Sequence, residues 1–165
     1  MNLLKLNSIE MITLCSSILC TKISRNDDSR LPNLEGIVTG VTVQMSSNSD
    51  GPDIFSQNEN VKAIPLNLQL FTIWQRTESD KKHERELHLR IRMQPPNNKK
   101  LIPVKEQILE LDFDTHPVRV VELSLVSIPV ISYGLHSVLL DIKQNNRWKN
   151  VGKSPLIVFK HSDSF

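Results

Sequence analysis

Alternating apolar and polar residues at 86–93, Glu-Leu-His-Leu-Arg-Ile-Arg-Met, form the clearest pattern in the chain. The apolar parity holds Leu87, Leu89, Ile91 and Met93, and the basic parity holds His88, Arg90 and Arg92. Successive side chains of a β-strand point to opposite faces. This pattern therefore predicts a strand with one face on an apolar core and one basic face in water.

Comparable patterns recur at short intervals and predict further strands. They cover 9–20, 35–44, 64–74, 107–113, 119–126, 135–142, 147–151 and 155–160. The first of these is also compatible with a short helix, because short apolar runs are ambiguous. Gly36 and Gly40 indicate a bulge or a close backbone approach within 35–44. About eight or nine short strands without interleaved helical periodicity are typical of an all-β, antiparallel sandwich or barrel.

Polar, turn-forming residues separate the predicted strands. The connection at 21–33 and the loop at 45–60 are the longest, and Pro95-Pro96-Asn97-Asn98 and Asn145-Asn146 are short turn signals. The apolar fraction of 39% and charged fraction of 23% argue against global disorder. At 165 residues we expect a single domain over 1–165 with a core at about 9–160.

Positive charge concentrates around the strand at 86–93. The net charge is +2, but residues 76–105 carry nine Lys/Arg against four Asp/Glu. Basic side chains can neutralise phosphates, so this face is a candidate nucleic-acid site. No aromatic residues alternate with the cations, which disfavours stacking on single strands. If the segments 86–93 and 107–113 pair as a hairpin, we expect Glu110 and Asp112 to neutralise Arg90 and Arg92.

Five residues are candidates for contact with a partner protein: Trp74, His88, Arg90, Arg92 and Trp148. Tryptophan and arginine are enriched among the residues that dominate binding energy. For either tryptophan, packing in the core or at its rim is the more common alternative.

The sequence contains no motif of a known catalytic or cofactor site, so we expect neither an enzyme nor a bound cofactor or metal. His136 shares an apolar parity, which favours a core histidine bonded to a backbone carbonyl over a metal ligand. Cys15 and Cys20 do not have metal-ligand spacing and are interpreted as two buried free thiols. No apolar run reaches the ~18–20 residues of a membrane span. The expected location is the cytoplasm.

Several residues together resemble a family of small bacterial proteins that is catalogued as a domain of unknown function. They are Leu14-Cys15, Gly40, Pro65, Leu87–Met93, Leu125, Pro129, Gly134 and Pro155-Leu156-Ile157-Val158. The chain departs from the family pattern at His136, where an aromatic residue is expected, and in the longer loop 45–60. The resemblance implies an immunoglobulin-like β-sandwich and little about function.

We therefore expect a non-catalytic protein–protein interaction module that is an accessory or adaptor subunit of a bacterial multi-protein system. A looser resemblance, carried by no residue motif, is to the small accessory proteins encoded near CRISPR effector–protease loci. The alternative is a nucleic-acid-binding protein that uses the basic strand face around 76–105. Binding of nucleic acid would fall steeply with salt, whereas a protein complex would survive moderate salt.

Overall fold

The computed structural model describes residues 12–25, 32–43, 62–76, 86–98, 100–111, 113 and 116–160. Nine strands contain most of them: β1 Ile12–Arg25, β2 Pro32–Ile37, β3 Gly40–Val43, β4 Lys62–Arg76, β5 Glu86–Gln94, β6 Ile102–Glu110, β7 Val118–Val130, β8 Gly134–Gln144 and β9 Arg147–Lys160. Within these ranges the single helical element is the short 3-10 turn Pro96–Asn98. None of the helices there could therefore cross a bilayer.

The strands form two sheets that share one apolar core. The four-stranded sheet has the order β2-β1-β4-β7, and the five-stranded sheet has the order β3-β9-β8-β5-β6. Strands β1, β4 and β7 occupy the places of strands A, B and E of an immunoglobulin sandwich, and β9, β8, β5 and β6 those of G, F, C and C′. The predicted immunoglobulin-like β-sandwich is confirmed. One described strand pair, β3 with β9, is parallel rather than antiparallel.

The predicted strand 35–44 is two strands that belong to different sheets. Val38 N–H donates to the Leu19 carbonyl in the four-stranded sheet, at 2.9 Å, whereas the Thr39 carbonyl accepts from Ile157 N–H in the five-stranded sheet, at 2.8 Å. Just before this crossing, Gly36 has a φ of +59°, a left-handed conformation that glycine adopts without steric cost. The chain therefore changes sheets within two residues, which a continuous alternation in the sequence does not reveal.

The ends of other strands also differ from prediction. Strand β1 extends through 21–25, which we expected to be part of a connection, and residues 9–11 and 45–60 lie outside the described residues. The predicted strands 147–151 and 155–160 form the single strand β9. Pro155 pairs with Ser137 of β8, but its nitrogen points to the opposite side, towards β3, as that of Ile157 does two residues later. Because the pairing with β3 starts only at Ile157, the missing N–H of Pro155 costs no ladder hydrogen bond.

The inner faces of both sheets form the core. The alternation of β5 is confirmed, since Leu87 is 4% exposed and Leu89, Ile91 and Met93 are fully buried. From the other sheet, Leu70 and Leu123 lie in the same apolar cluster. The predicted hairpin between β5 and β6 is also present, with Asn97 at a φ of +62° in its turn.

Strand β8 is the middle strand of the five-stranded sheet and is buried on both faces. All residues from His136 to Ile142 are buried. Val138, Leu140 and Ile142 belong to the core, so Leu139 and Asp141 point to the opposite, outer face. This places a carboxylate at the centre of the outer face, beside the basic side chains of β5.

Candidate functional site

Four polar side chains from three adjacent strands converge on the outer face of the five-stranded sheet. The register pairs Arg90 of β5 with Asp141 of β8, and Asp141 with Asn150 of β9. Arg90 Nε donates to Oδ2 of Asp141 at 3.1 Å, and Arg92 Nη2 donates to Oδ1 at 2.9 Å. Asn150 Nδ2 also donates to Oδ1, at 3.1 Å. Charge-assisted hydrogen bonds from two guanidinium groups thus hold one carboxylate.

The Asp141 side chain is 0% exposed, whereas those of Arg90 and Arg92 are 23% and 22% exposed. Burial alone acts to raise the pKa of Asp141 because it penalises the charged form. Hydrogen bonds from Arg92, Asn150 and Arg90, together with the charge of Arg92, outweigh burial and hold this pKa below its usual range. The carboxylate is therefore ionised, and each arginine keeps an exposed edge.

The expected neutralisation by Glu110 is wrong. In the hairpin, Glu110 lies opposite Glu86, and Arg90 lies opposite Glu106. Asp112 lies outside the described residues. A register shift between Ile91 and Arg92 further changes the pairing near the turn, so that Arg92 faces Pro103. The acidic partner of both arginines comes instead from β8, a strand that is distant in sequence but adjacent in the sheet.

Trp148 forms the second contact of Arg90. The guanidinium carbon of Arg90 lies 4.3 Å from the centroid of the Trp148 ring, a cation–π distance. Trp148 is half-buried and stands opposite Lys143 in the β8–β9 hairpin. Two of the predicted contact residues, Arg90 and Trp148, are therefore brought together, and Asp141 and Trp148 jointly fix the orientation of Arg90.

His88 lies on the same face, but it is not part of the Asp141 cluster. Its side chain is 42% exposed, and its Nε2 is 4.0 Å from Oε2 of Glu86. Its cross-strand neighbour on β6 is Ile108, which is 57% exposed. His88 therefore borders the Asp141 cluster on the side away from the β5–β6 turn.

Trp74, the remaining predicted contact residue, is located in the core and is 0% exposed. Its indole N–H donates to Oγ1 of Thr72 at 2.9 Å, and this hydroxyl donates to the Val121 carbonyl at 3.0 Å. The polar group of the tryptophan is thus satisfied inside the sandwich. A partner could not touch this side chain without unfolding the protein, so we exclude Trp74 from the candidate surface.

The histidine and cysteine predictions have mixed outcomes. His136 is fully buried, and its Nδ1 lies 3.0 Å from the Gly134 carbonyl, as expected for a core histidine. Cys20 is a buried free thiol whose pKa is raised by burial. The prediction that Cys15 is also buried is wrong, because Cys15 is exposed on the outer side of the four-stranded sheet. A register shift between Leu14 and Ser16 makes Cys15 the extra residue of a β-bulge, without a ladder partner on β4.

We call the outer side of strands β5, β6, β8 and β9 around Asp141 the charged face. Its described charged side chains are basic at Arg90, Arg92, Lys143 and Lys153, and acidic at Glu86, Glu106, Glu110 and Asp141. Among these described side chains the two signs are equal in number, whereas residues 77–85 and 99, which carry further cations of the predicted basic region, lie outside the described residues. Trp148 and the exposed Ile108 add apolar surface to the charged face.

The charged face combines the buried carboxylate of Asp141 with two partly exposed arginines and a half-buried tryptophan. Across the described ranges, no group of three His, Cys, Asp or Glu side chains could hold a metal ion. Sequence reasoning missed Asp141 and Asn150. The available signal was an aspartate on the outer parity of an otherwise apolar strand, which marks a buried charge that requires partners.

No family model, curated protein or solved structure matches this chain. The immunoglobulin-like assignment therefore rests on the strand order described above, and the resemblance to the bacterial family remains an expectation from the sequence.

Proposed function

We propose that the protein is a non-catalytic protein-interaction module, an accessory or adaptor subunit of a bacterial multi-protein system in the cytoplasm. We further propose that it binds its partner through the charged face. One observation carries this proposal: Arg90 is held by the buried Asp141 and at the same time stacked on Trp148.

Such an arrangement favours binding because it reduces the conformational entropy that the Arg90 side chain loses when the interface forms. Long arginine side chains normally lose rotamer freedom when an interface forms. Here the ion pair and the ring contact already orient Arg90 in the free protein. Arginine and tryptophan are also the residue types that most often dominate interface energies. Arg90, Arg92 and Trp148 are therefore the proposed contact residues, with His88 at their border.

The charge balance favours a protein over a nucleic acid as the partner. A phosphate backbone attracts surfaces with a surplus of positive charge. On the charged face, four acidic side chains accompany four basic ones, and both arginines already share the Asp141 carboxylate. A surface of mixed sign instead matches a protein partner that carries complementary charges.

Affinity capture with single-residue variants tests this proposal. The tagged parent chain and its Arg90→Ala, Trp148→Ala and Lys22→Ala variants are expressed in the native host. They are then captured at moderate salt with and without nuclease. We expect a defined protein to accompany the parent, and its recovery to fall about tenfold or more with Arg90→Ala and Trp148→Ala.

Lys22→Ala is the matched control, because Lys22 is an exposed cation on the other sheet, in an ion pair with Glu35. It should leave recovery unchanged. Circular dichroism of each variant excludes loss of folding as the cause. Capture that disappears with nuclease and falls steeply with salt would support the nucleic-acid alternative and overturn the proposal. Equal recovery by all variants would place the binding surface elsewhere.

A further inference from the structure

Unpaired charges on the described part of the charged face are sorted by strand, with acidic side chains on β5 and β6 and basic side chains on β8 and β9. The acidic strip consists of Glu86, Glu106 and Glu110, at one edge of the sheet on β5 and β6. The basic strip consists of Lys143 and Lys153, on β8 and β9. Arg90, Arg92 and Asp141 largely neutralise each other.

These strip residues lack internal partners in the part of the chain that the structure describes. Apart from the 4.0 Å contact of Glu86 with His88, none of them forms an ion pair there. Glu86 and Glu110 even stand directly opposite each other in the β5–β6 ladder. Like charges in that position destabilise a sheet. The facing carboxylates of Glu86 and Glu110 are thus unfavourable for the isolated chain, and an external cation would relieve their repulsion.

The arrangement is self-complementary under a two-fold rotation. An isologous dimer places the same surface of both copies in contact. If two charged faces meet with the two-fold axis parallel to the strands, β6 of one copy lies over β9 of the other. The register then places Lys153 over Pro103 of the other copy, one step along the strand from Glu106, and Lys143 over His88, one step from Glu86. These long side chains can bridge one such step, and each contact occurs twice. The same operation brings the exposed Ile108 towards Trp148 of the second copy.

We propose that the occupant of the charged face is a second copy of this chain, in an isologous dimer held by pairing of the acidic strip with the basic strip. The inference rests on the proposed function and names the partner. A partner with charge of a single sign would satisfy one strip and repel the other. A second copy satisfies both.

Reversal of two charges in each strip tests the dimer. The parent, Glu106→Lys/Glu110→Lys and Lys143→Glu/Lys153→Glu proteins are examined by sedimentation equilibrium up to ~0.1 mM. We expect a dimeric parent, and dissociation constants at least about tenfold higher for each variant alone, since like charges then face each other. An equimolar mixture of the two variants should form a heterodimer, because opposite charges meet again at both contacts.

The mixture keeps the test independent of any cost in folding, because a misfolded variant could not be rescued by its counterpart. Lys22→Glu, on the other sheet, should leave the dimer unchanged. A monomeric parent, a dimer that both reversals leave intact, or a mixture that stays monomeric would each overturn the inference. If the parent is monomeric but another protein is captured through Arg90 and Trp148, only the inference fails and the proposed function stands.

Discussion

At the scale of single residues, Asp141 is the group on which the charged face depends. A buried carboxylate is costly unless it is paired and hydrogen-bonded. Asp141 meets this condition with two arginines from β5 and one asparagine from β9. The same contacts fix Arg90 and Arg92 in place, so one residue serves both stability and the shape of the proposed binding surface.

Replacing Asp141 with Asn should therefore destabilise the fold. The change leaves two guanidinium groups converging without a compensating charge, and the exposed edges of both arginines soften the loss. We expect a decrease of about 2–4 kcal/mol in the free energy of unfolding, measured by urea denaturation. Lys149→Gln, at an exposed position outside the charged face and without an ion pair among the described residues, should stay within about 0.5 kcal/mol of the parent. Equal effects of both changes would contradict this role of Asp141.

His136 should make stability depend on pH. The Gly134 carbonyl can only accept, so Nδ1 carries the proton and Nε2 lies buried without a hydrogen-bond partner among the described residues. Burial lowers the pKa of His136 below 6.5, and the bond to Gly134 only partly opposes this. Because the folded pKa is depressed, the unfolded chain binds the proton more readily. The contribution to stability is complete above about pH 6.5 and is lost as pH falls through the folded pKa.

Urea titrations between pH 7.5 and pH 4.5 measure this effect. The slope of the unfolding free energy against pH reaches at most ~1.4 kcal/mol per pH unit for one proton. His136→Phe should flatten the slope in this range, whatever its effect on the absolute stability. The paired carboxylate of Asp141 contributes in a lower window, below its ordinary value of 3.8. Identical slopes for parent and variant would exclude His136 as the source.

At the scale of elements, the β8–β9 hairpin positions Asp141, Trp148 and Asn150 relative to one another. Its turn residues Asn145 and Asn146 have φ values of +49° and +59°. Both central residues with positive φ define a type I′ turn, whose twist matches that of the flanking strands. The Asn-Asn turn signal in the sequence predicted this connection directly, because asparagine tolerates the left-handed region better than most residues.

Substitutions at Asn146 should separate backbone strain from other effects. Asn146→Gly keeps the left-handed conformation accessible and should remain within about 0.5 kcal/mol of the parent. Asn146→Val places a β-branched side chain at positive φ and should lose about 1–2 kcal/mol. Thermal denaturation followed by circular dichroism ranks the variants. Equal stability of the valine and glycine variants would show that the turn does not require this conformation in solution.

Local alternation is sufficient to predict which face of a strand is buried, but not to which sheet the strand belongs. Alternation identified the inner face of β5, since Leu87, Leu89, Ile91 and Met93 are buried as predicted. It did not reveal that 35–44 divides between two sheets, because both halves continue the same alternation. The division depends on which distant strand each half meets, β1 for the first half and β9 for the second.

At the scale of the whole molecule, the two sheets differ in what they offer a partner. The charged face covers the outside of the five-stranded sheet, whereas the described outer side of the four-stranded sheet carries few charges. Lys22 and Glu35 already pair there at 3.1 Å. The nucleic-acid hypothesis arose from counting cations along the chain. In the fold, acidic side chains from β6 and β8 stand on the same face as the cations of β5.

The sequence by itself determined that the chain is built of β-strands, which residues of β5 face the core and where the Asn145-Asn146 turn lies, because each depends on neighbours a few positions away. Only the tertiary structure decided that Asp141, and not Glu110, pairs with Arg90 and Arg92. It also decided that Trp74 is buried while Trp148 lies on the charged face. These outcomes depend on strand order and register between segments about 50 residues apart. A one-residue change of register would turn each side chain to the other face, and local alternation does not specify which strands become neighbours.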